Sequence, residues 1–353
     1  MKARLGFFSP TGIGSVPHRE AAEVVDFVLD NFLEIPFWPQ LPQRSFKENM
    51  YVQYSEGLPG FTLDEEKQQV LVDLSSDWLE KLEVFYQAYL NGDTDFFSIS
   101  KDYAAGFFEF LERIKNKDDK PLFLKGQVTG PVSFGLTVTD QNKKPIIYEE
   151  TLKDALVKLL AQKGAWQEKK IKEASPSSET IIFYDEPYLA SFGSAYVKLE
   201  REEVEGFFSE IRRSLSGRLG VHCCGNTDWG LLLNSEIDIL SFDAYSYSER
   251  FLLYRKEIAR FLERGGFIAW GIVPTLTPEP DLVLTETAES LANRLLLLVD
   301  YLLRAGIDRE QIISQSLLTP NCGTGGMEVT LAEKALKMAV ETSKFIRQKL
   351  GLV

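Results

Sequence analysis

The sequence predicts an α/β protein built as a single (β/α)8 TIM-type barrel, with an active site at the C-terminal ends of the strands. Short apolar runs alternate with longer amphipathic segments, which is typical of parallel strands joined by crossover helices. The apolar runs are continuous, as in a sheet covered on both faces. No Pro/Gly/Ser-rich linker divides the 353 residues. We therefore predict one catalytic domain over residues 1–353.

Nine apolar runs are candidate strands. They are LGFF (5–8), IPFW (35–38), DFFSIS (95–100), PLFLKG (121–126), TIIFYDE (180–186), RLGVHC (218–223), DILSFD (238–243), GFIAWGI (266–272) and QIISQS (311–316). A barrel of this type has eight strands, so one candidate is expected outside it. We choose IPFW, because its proline cannot donate to a ladder.

Eight segments carry apolar residues at three- and four-residue spacing and are predicted to be amphipathic helices. They lie at 20–33, 64–90, 103–116, 151–174, 202–215, 250–265, 290–306 and 330–350. All but the last separate two candidate strands, which again indicates repeated strand–helix units.

Composition narrows the possible functions. The formal net charge of -13 and the absence of a dense basic run disfavour nucleic-acid binding, which requires clustered cations. No apolar stretch has the length of a membrane span, and the N-terminus does not resemble a signal peptide. Three cysteines do not make a disulfide framework. We therefore expect a cytoplasmic protein whose thiols stay reduced.

The stretch V-H-C-C-G gathers one of the two histidines and two of the three cysteines at the end of a predicted strand. Alternation along a strand puts His222 and Cys224 on one face and turns Cys223 to the other. The remaining cysteine, Cys322, follows the last predicted strand, and barrel closure brings both ends to the same rim. These residues form a candidate zinc site with one open position, to which Asp243 would add an oxygen ligand or a hydrogen bond.

Other interpretations of the cysteines stay open from the residues alone. Free cysteine is among the most buried residue types and often only packs. A redox pair is a second possibility, although H-C-C lacks the C-x-x-C spacing. The coincidence of scarce soft ligands at two strand ends favours a metal.

Five short motifs at strand ends resemble one known group of enzymes. They are Ile13-Gly14-Ser15 with Pro17, Val128-Thr129-Gly130-Pro131-Val132, Asp185-Glu186-Pro187, His222-Cys223-Cys224-Gly225-Asn226 and Pro320-Asn321-Cys322-Gly323. Together they resemble the catalytic C-terminal domain of cobalamin-independent methionine synthase, within the barrel superfamily shared with uroporphyrinogen decarboxylase. The H-x-C-G-N stretch also resembles corrinoid-dependent thiol methyltransferases.

The resemblance implies roles for individual residues. Zn²⁺ would be held by His222, Cys224 and Cys322, with Asp243 at the position of a Glu ligand. Asp185 would bind the amino group of homocysteine, and Asp185 and Asp243 are the candidate catalytic residues. The resemblance implies substrate contacts at Ile13, Gly14, Ser15 and Glu48, the last with its motif shifted by one residue.

The implied reaction is methyl transfer to a thiol that zinc holds as a thiolate, giving methionine from homocysteine. Two departures from methionine synthase count against methyltetrahydrofolate as donor: no folate-binding N-terminal duplicate is expected, and the loop Trp270 to Pro274 has no histidine. A methylcorrinoid on a partner protein fits better. The alternatives are methyl transfer to another thiol such as coenzyme M, and a non-catalytic zinc-binding barrel. Asp185 favours an amino-acid substrate, because coenzyme M has no ammonium group.

Overall fold

The computed structural model describes residues 5–75, 77–275 and 282–352. Its strands are β1 Ser9–Pro10, β2 Phe61–Asp64, β3 Gln69–Val72, β4 Phe123–Thr129, β5 Thr139–Asp140, β6 Glu179–Asp185, β7 Arg218–Cys223, β8 Ile239–Asp243, β9 Phe267–Val273 and β10 Ser316–Pro320. Its helices are α1 Ala21–Asn31, α2 Trp78–Leu90, α3 Ala105–Asn116, α4 Pro131–Thr137, α5 Glu150–Ala174, α6 Arg201–Ser214, α7 Trp229–Asn234, α8 Ala244–Phe251, α9 Arg255–Glu263, α10 Leu282–Thr285, α11 Ala288–Arg304, α12 Arg309–Ser314 and α13 Val329–Leu350.

Seven strands form one curled sheet in the order β1-β10-β9-β8-β7-β6-β4, and every neighbouring pair is parallel. The predicted α/β architecture with a parallel sheet is therefore confirmed. Parallel strands bring their carboxyl ends to one rim, where the loops after β6, β7, β8 and β10 meet. None of the helices in the described ranges is long and apolar enough to cross a membrane.

The expected closed ladder of eight strands is not what the structure shows. Between the edge strands β1 and β4 lies the irregular segment 35–40, joined by isolated parallel bridges from Phe37 to Lys125 and from Gln40 to Ser15. The placement of IPFW outside the barrel was wrong, because this segment occupies the open edge. Pro36 offers only its carbonyl, which accepts from Lys125 N at 2.9 Å, so a regular ladder cannot continue there.

Three strand predictions need correction. Residues 95–100 do not form a strand; Thr94–Phe97 is a 3₁₀ helix whose first turn Asp93 caps by accepting from Phe96 N at 3.3 Å. Asp308 caps α12 by accepting from Gln311 N at 2.9 Å, so the run 311–316 is mostly helical and β10 begins only at Ser316. The first run, 5–8, precedes the short β1 instead of forming it.

The predicted helix over 64–90 is also wrong in its first half. Phe61–Asp64 and Gln69–Val72 pair as an antiparallel hairpin, and β5 adds to it as a third strand. The side chain of Asp64 accepts from Lys67 N at 3.0 Å, which favours a turn over a helix, and the run V-L-V suits a strand. Among the described residues of this range, helix is confined to Trp78–Leu90.

A small apolar cluster fills the space enclosed by the curled sheet, separate from the larger core between sheet and helices. Its members come from five of the seven strands and from the segments before β1 and at the open edge: Leu5, Ile35, Phe123, Ile181, Phe183, Ile239, Ala269 and Leu317. Because Ile35 belongs to this cluster, the irregular edge segment packs as part of the barrel interior. This packing supports the rim on which the candidate site is built.

Candidate metal centre and adjoining cavity

His222 lies near the end of β7 with one ring nitrogen available to a ligand. The residue is 3 % exposed near the end of β7, where it pairs with Ser241 of β8. A hydrogen bond of 2.9 Å joins its Nδ1 to Ser241 Oγ, and this contact fixes the orientation of the ring. Its Nε2 is buried and makes no hydrogen bond to the described residues. A buried imidazole nitrogen without a partner suits a metal ligand.

Two thiols face this nitrogen. The ligand atoms of His222, Cys224 and Cys322 all lie within 4.8 Å of one another. Cys322 follows β10, and its backbone is held by Thr275, whose Oγ1 donates to Cys322 O at 2.9 Å and accepts from Cys322 N at 3.2 Å. One imidazole and two thiols are the donor set that zinc prefers, and three ligands leave a coordination position for another molecule.

The electrostatics of the cluster favour a thiolate at Cys224. The hydrogen bond from Cys322 and the neighbouring imidazole of His222 lower the pKa of the Cys224 thiol, against the opposing effect of burial. The pKa of Cys322 is raised well above its usual value by the same neighbouring sulfur and by burial. The pair therefore favours one thiolate beside one thiol. A cation bound by both sulfurs would stabilise that negative charge.

Cys223 lies on the other side of β7. It is fully buried in the large apolar core, and its Sγ contacts the carbonyl of Gly225 at 3.5 Å. Burial raises the pKa of its thiol far above the ordinary value. Strand alternation thus separates it from the two sulfurs of the cluster, as expected from period-two geometry.

Asp243 is not a member of this cluster. It is the N-cap of α8, where its Oδ1 accepts from Ser246 N at 2.8 Å. Burial raises the pKa of its carboxyl, while the bond from Ser246 lowers it. Its position at the end of β8 places it beside the metal centre, and its carboxylate already has a structural task there.

A cavity of about 330 Å³ opens at the same rim. Four of the predicted substrate residues, Ile13, Ser15, Glu48 and Asp185, line it together with Gln40, Pro42, Gln43, Asn49, Met50, Gly325 and Gly326. Gly14, the fifth, is packed behind the lining: a Cβ there would approach Gln40 Oε1 to 2.5 Å. The structure therefore brings the predicted substrate residues to one place.

Asp185 has an unsatisfied carboxylate oxygen. Its Oδ1 is buried and makes no hydrogen bond within the described part of the chain. Burial raises the pKa of its carboxyl to about 6, and the nearby His222 and Lys125 oppose that rise. Because Asp185 pairs with His222 in adjacent strands, it lies between the metal centre and the cavity. An unpaired buried carboxylate at this position suits a cationic group of a ligand.

Glu48 also lines the cavity, but its carboxylate is already bound. Oε1 accepts from Arg44 Nη1 at 2.6 Å, and Oε2 accepts from the backbone N–H of Leu41 at 3.1 Å. Burial raises the pKa of this carboxyl, with Arg44 opposing. Its contacts shape the loop that carries Asn49 and Met50 into the cavity wall.

Glu186, a member of the Asp185-Glu186-Pro187 motif, has a structural role that the sequence did not indicate: it caps α4, accepting from Val132 N at 2.9 Å and from Ser133 N at 2.8 Å. Two further residues that build this site were not predicted. Ser241 orients His222, and Lys125 is a buried cation beside the cavity. Each is a polar residue within an otherwise apolar strand, and that interruption was the signal available in the sequence.

Comparisons with known proteins show a shared fold. No protein-family model matches the chain, and no curated protein matches it. A B12-independent methionine synthase from Shewanella sp. W3-18-1, in complex with selenomethionine, superposes with a TM-score of 0.61 at 16% sequence identity, covering 98% of this chain and 99% of that one. A protein from Listeria monocytogenes, provisionally described as a vitamin B12-independent methionine synthase, superposes with a TM-score of 0.52 at 13% identity, covering 93% and 86%. At these identities the likeness is one of fold.

Proposed function

We propose that this protein is a zinc-dependent methyltransferase that methylates the thiol of homocysteine to give methionine. The observation that carries the proposal is the juxtaposition of a His222 ring nitrogen with the sulfurs of Cys224 and Cys322, beside a cavity lined by Asp185. The fold shared with proteins described as methionine synthases supports the same class of reaction.

His222, Cys224 and Cys322 would hold the zinc ion. Bound there, zinc would lower the pKa of a substrate thiol, and the thiolate is the nucleophilic form. In the reaction the S–C bond forms as the bond between the methyl group and its donor breaks. The electron pair of that bond stays with the donor, and the thiol proton passes to solvent.

The residues around the cavity would bind the amino-acid part of the substrate. Asp185 offers a buried carboxylate oxygen for the ammonium group, as a charge-assisted hydrogen bond. The backbone N–H groups of Gly14 and Ser15 make no hydrogen bond to the described residues, and they would receive the carboxylate. These two contacts would orient the substrate with its thiol at the proposed zinc ion. Such positioning accelerates a transfer between two bound reactants.

A methylcorrinoid on a partner protein is our proposed methyl donor. This part of the proposal depends on the sequence, because the loop Trp270 to Pro274 has no histidine and the two histidines of the chain are His18 and His222. His18 contacts Glu333 of α13, with 3.3 Å from Nε2 to Oε1, and does not line the cavity. Both proteins of shared fold are described as B12-independent, so the donor must be tested separately from the acceptor.

The test is methyl transfer by the zinc-loaded protein, with methylcobalamin and methyltetrahydrofolate as donors and homocysteine, coenzyme M and cysteine as acceptors. We expect methionine from homocysteine and methylcobalamin, and loss of turnover in Cys322→Ala. Methyl transfer to coenzyme M alone would show that the acceptor is coenzyme M and not homocysteine. Methyl transfer from methyltetrahydrofolate would show that the donor is the folate and not the corrinoid. No turnover with any pair, by protein that holds stoichiometric zinc, would contradict the proposed activity.

A further inference from the structure

Lys125 is a buried lysine beside the cavity with no carboxylate as a direct partner among the described residues. It lies in the middle of β4 and is 1 % exposed. Its Nζ donates to the backbone carbonyl of Ile13 at 2.6 Å and to Gln127 Oε1 at 3.2 Å, and it lies 4.8 Å from the centre of the Phe183 ring. A buried cation is costly unless its contacts compensate, so a neutral residue would be expected here for packing alone.

The contact to Ile13 completes a set of three on the segment 13–15. The carbonyl of Gly14 accepts from Gln40 N at 3.0 Å, and the carbonyl of Ser15 accepts from Thr324 N at 2.8 Å. Each of the three successive carbonyls is thus held by the protein. The N–H groups of Gly14 and Ser15, in contrast, make no hydrogen bond to the described residues. Backbone N–H groups without a protein partner are free to donate to a ligand.

Of these three contacts, the one from Lys125 is the only one made by a charged side chain. It fixes the first carbonyl of the segment, and it also places a positive charge next to the peptide group that carries the Gly14 N–H. Gly14 has no room to shift in response, since a Cβ there would lie 2.5 Å from Gln40 Oε1 and 2.9 Å from Gln127 Cδ. The free N–H groups and the nearby positive charge therefore both favour a carboxylate beside Gly14 and Ser15.

We infer that Lys125 is a positioning residue: its hydrogen bond to Ile13 fixes segment 13–15 so that the N–H groups of Gly14 and Ser15 recognise the carboxylate of an amino-acid thiol. This inference depends on the proposed function, and it explains how the site selects amino-acid thiols over simple thiols. Lys125 itself touches neither the thiol nor the methyl group.

The test compares two thiols that differ only in the carboxylate. The dissociation constants of homocysteine and 3-aminopropane-1-thiol are measured by calorimetry on zinc-loaded protein. Wild type is expected to prefer homocysteine, and Lys125→Met is expected to reduce that preference about tenfold or more, since a charge-assisted contact contributes on this scale. The matched control is Lys163→Met, because Lys163 is also buried and donates to a backbone carbonyl, that of Ser98 at 2.7 Å, away from the cavity.

A ratio of two constants from one preparation does not depend on the folded fraction. If Lys125→Met does not fold, Lys125→Gln replaces it; it keeps a donor but loses the charge and the reach, and the same fall in preference is expected. An unchanged preference in the Lys125 variant, or an equal fall in Lys163→Met, would overturn the inference and leave the proposed function standing. If wild-type protein with zinc binds neither thiol, both fail.

Discussion

His222 and Ser241 are paired residues on adjacent strands, and their side chains meet at 2.9 Å, Nδ1 to Oγ. The opposite nitrogen, Nε2, is thereby left to join the sulfurs of Cys224 and Cys322 in the candidate ligand set. The candidate metal centre would therefore depend on a residue that is not itself a ligand. Residues that orient a ligand in this way commonly change metal affinity by about 10–100-fold when they are replaced.

Replacing Ser241 with alanine should weaken zinc binding without unfolding the protein. We expect about a tenfold or greater rise in the zinc dissociation constant, because the imidazole loses the partner that fixes its orientation. Competition with a chromophoric chelator measures this. Ser235→Ala is the control, since Ser235 is also buried and its Oγ donates to the carbonyl of Leu231 at 2.8 Å. Equal zinc affinity in Ser241→Ala and wild type would contradict the assigned role.

The two sulfurs of the candidate metal centre should form a disulfide in metal-free protein. Their separation of at most 4.8 Å leaves a small movement to the bonding distance of about 2.05 Å. Mild oxidation of chelator-treated protein should lower the count of free thiols from three to one. Peptide mapping should then show Cys224 joined to Cys322. Cys223→Ala should still oxidise, and a disulfide involving Cys223 would contradict the described geometry.

Asp185→Asn should impair binding of thiols that carry an ammonium group. Loss of the charge-assisted contact is expected to weaken homocysteine binding about tenfold or more, and to leave 4-mercaptobutanoate, which lacks the ammonium, within about twofold. Glu186→Gln is a matched control, because Glu186 is the next residue, is buried, and is bound to the start of α4. Equal losses for both thiols would show that Asp185 supports the fold and not the ligand.

Lys163 should make stability depend on pH. Burial lowers the pKa of its ammonium to about 7, with Glu56 opposing. Between pH 7 and 10.5 the unfolded chain holds this proton and the folded chain does not, so the free energy of unfolding rises with pH in that window. Denaturation is measured at pH 7.5 and 9.5. The free energy of unfolding of wild type should rise by on the order of 1 kcal/mol per pH unit relative to that of Lys163→Met. Parallel pH profiles for the two proteins would contradict this prediction.

Much of the site's location could be read from the sequence because it depends on chain order and strand alternation. Parallel strands send their carboxyl ends to one rim, so residues a hundred positions apart, such as Cys224 and Cys322, could be expected to meet. Alternation likewise separated Cys223 from Cys224. These rules need only the element order, which hydrophobic patterning provides.

The parts that sequence reasoning missed depend on local hydrogen bonds and on tertiary contacts. Asp64 favours the hairpin that begins at Phe61, because its side chain bonds to the turn. Asp308 favours the helix that begins at Arg309, because its side chain caps the first turn. These local bonds outweigh the apolar periodicity from which a helix and a strand were predicted. The cap made by Asp243 and the buried ammonium of Lys125 require knowledge of what lies across the barrel. Apolar patterning carries no such information.

Metal analysis of purified protein tests the central claim most directly. We predict one zinc ion per chain in wild type and in Cys223→Ala, and loss of stoichiometric zinc in His222→Ala and Cys322→Ala, each measured by mass spectrometry of the elements alongside a thermal melt. Wild-type protein without zinc that also fails to take it up, or a Cys322→Ala variant that retains a full ion, would contradict the three-ligand site and the chemistry proposed for it.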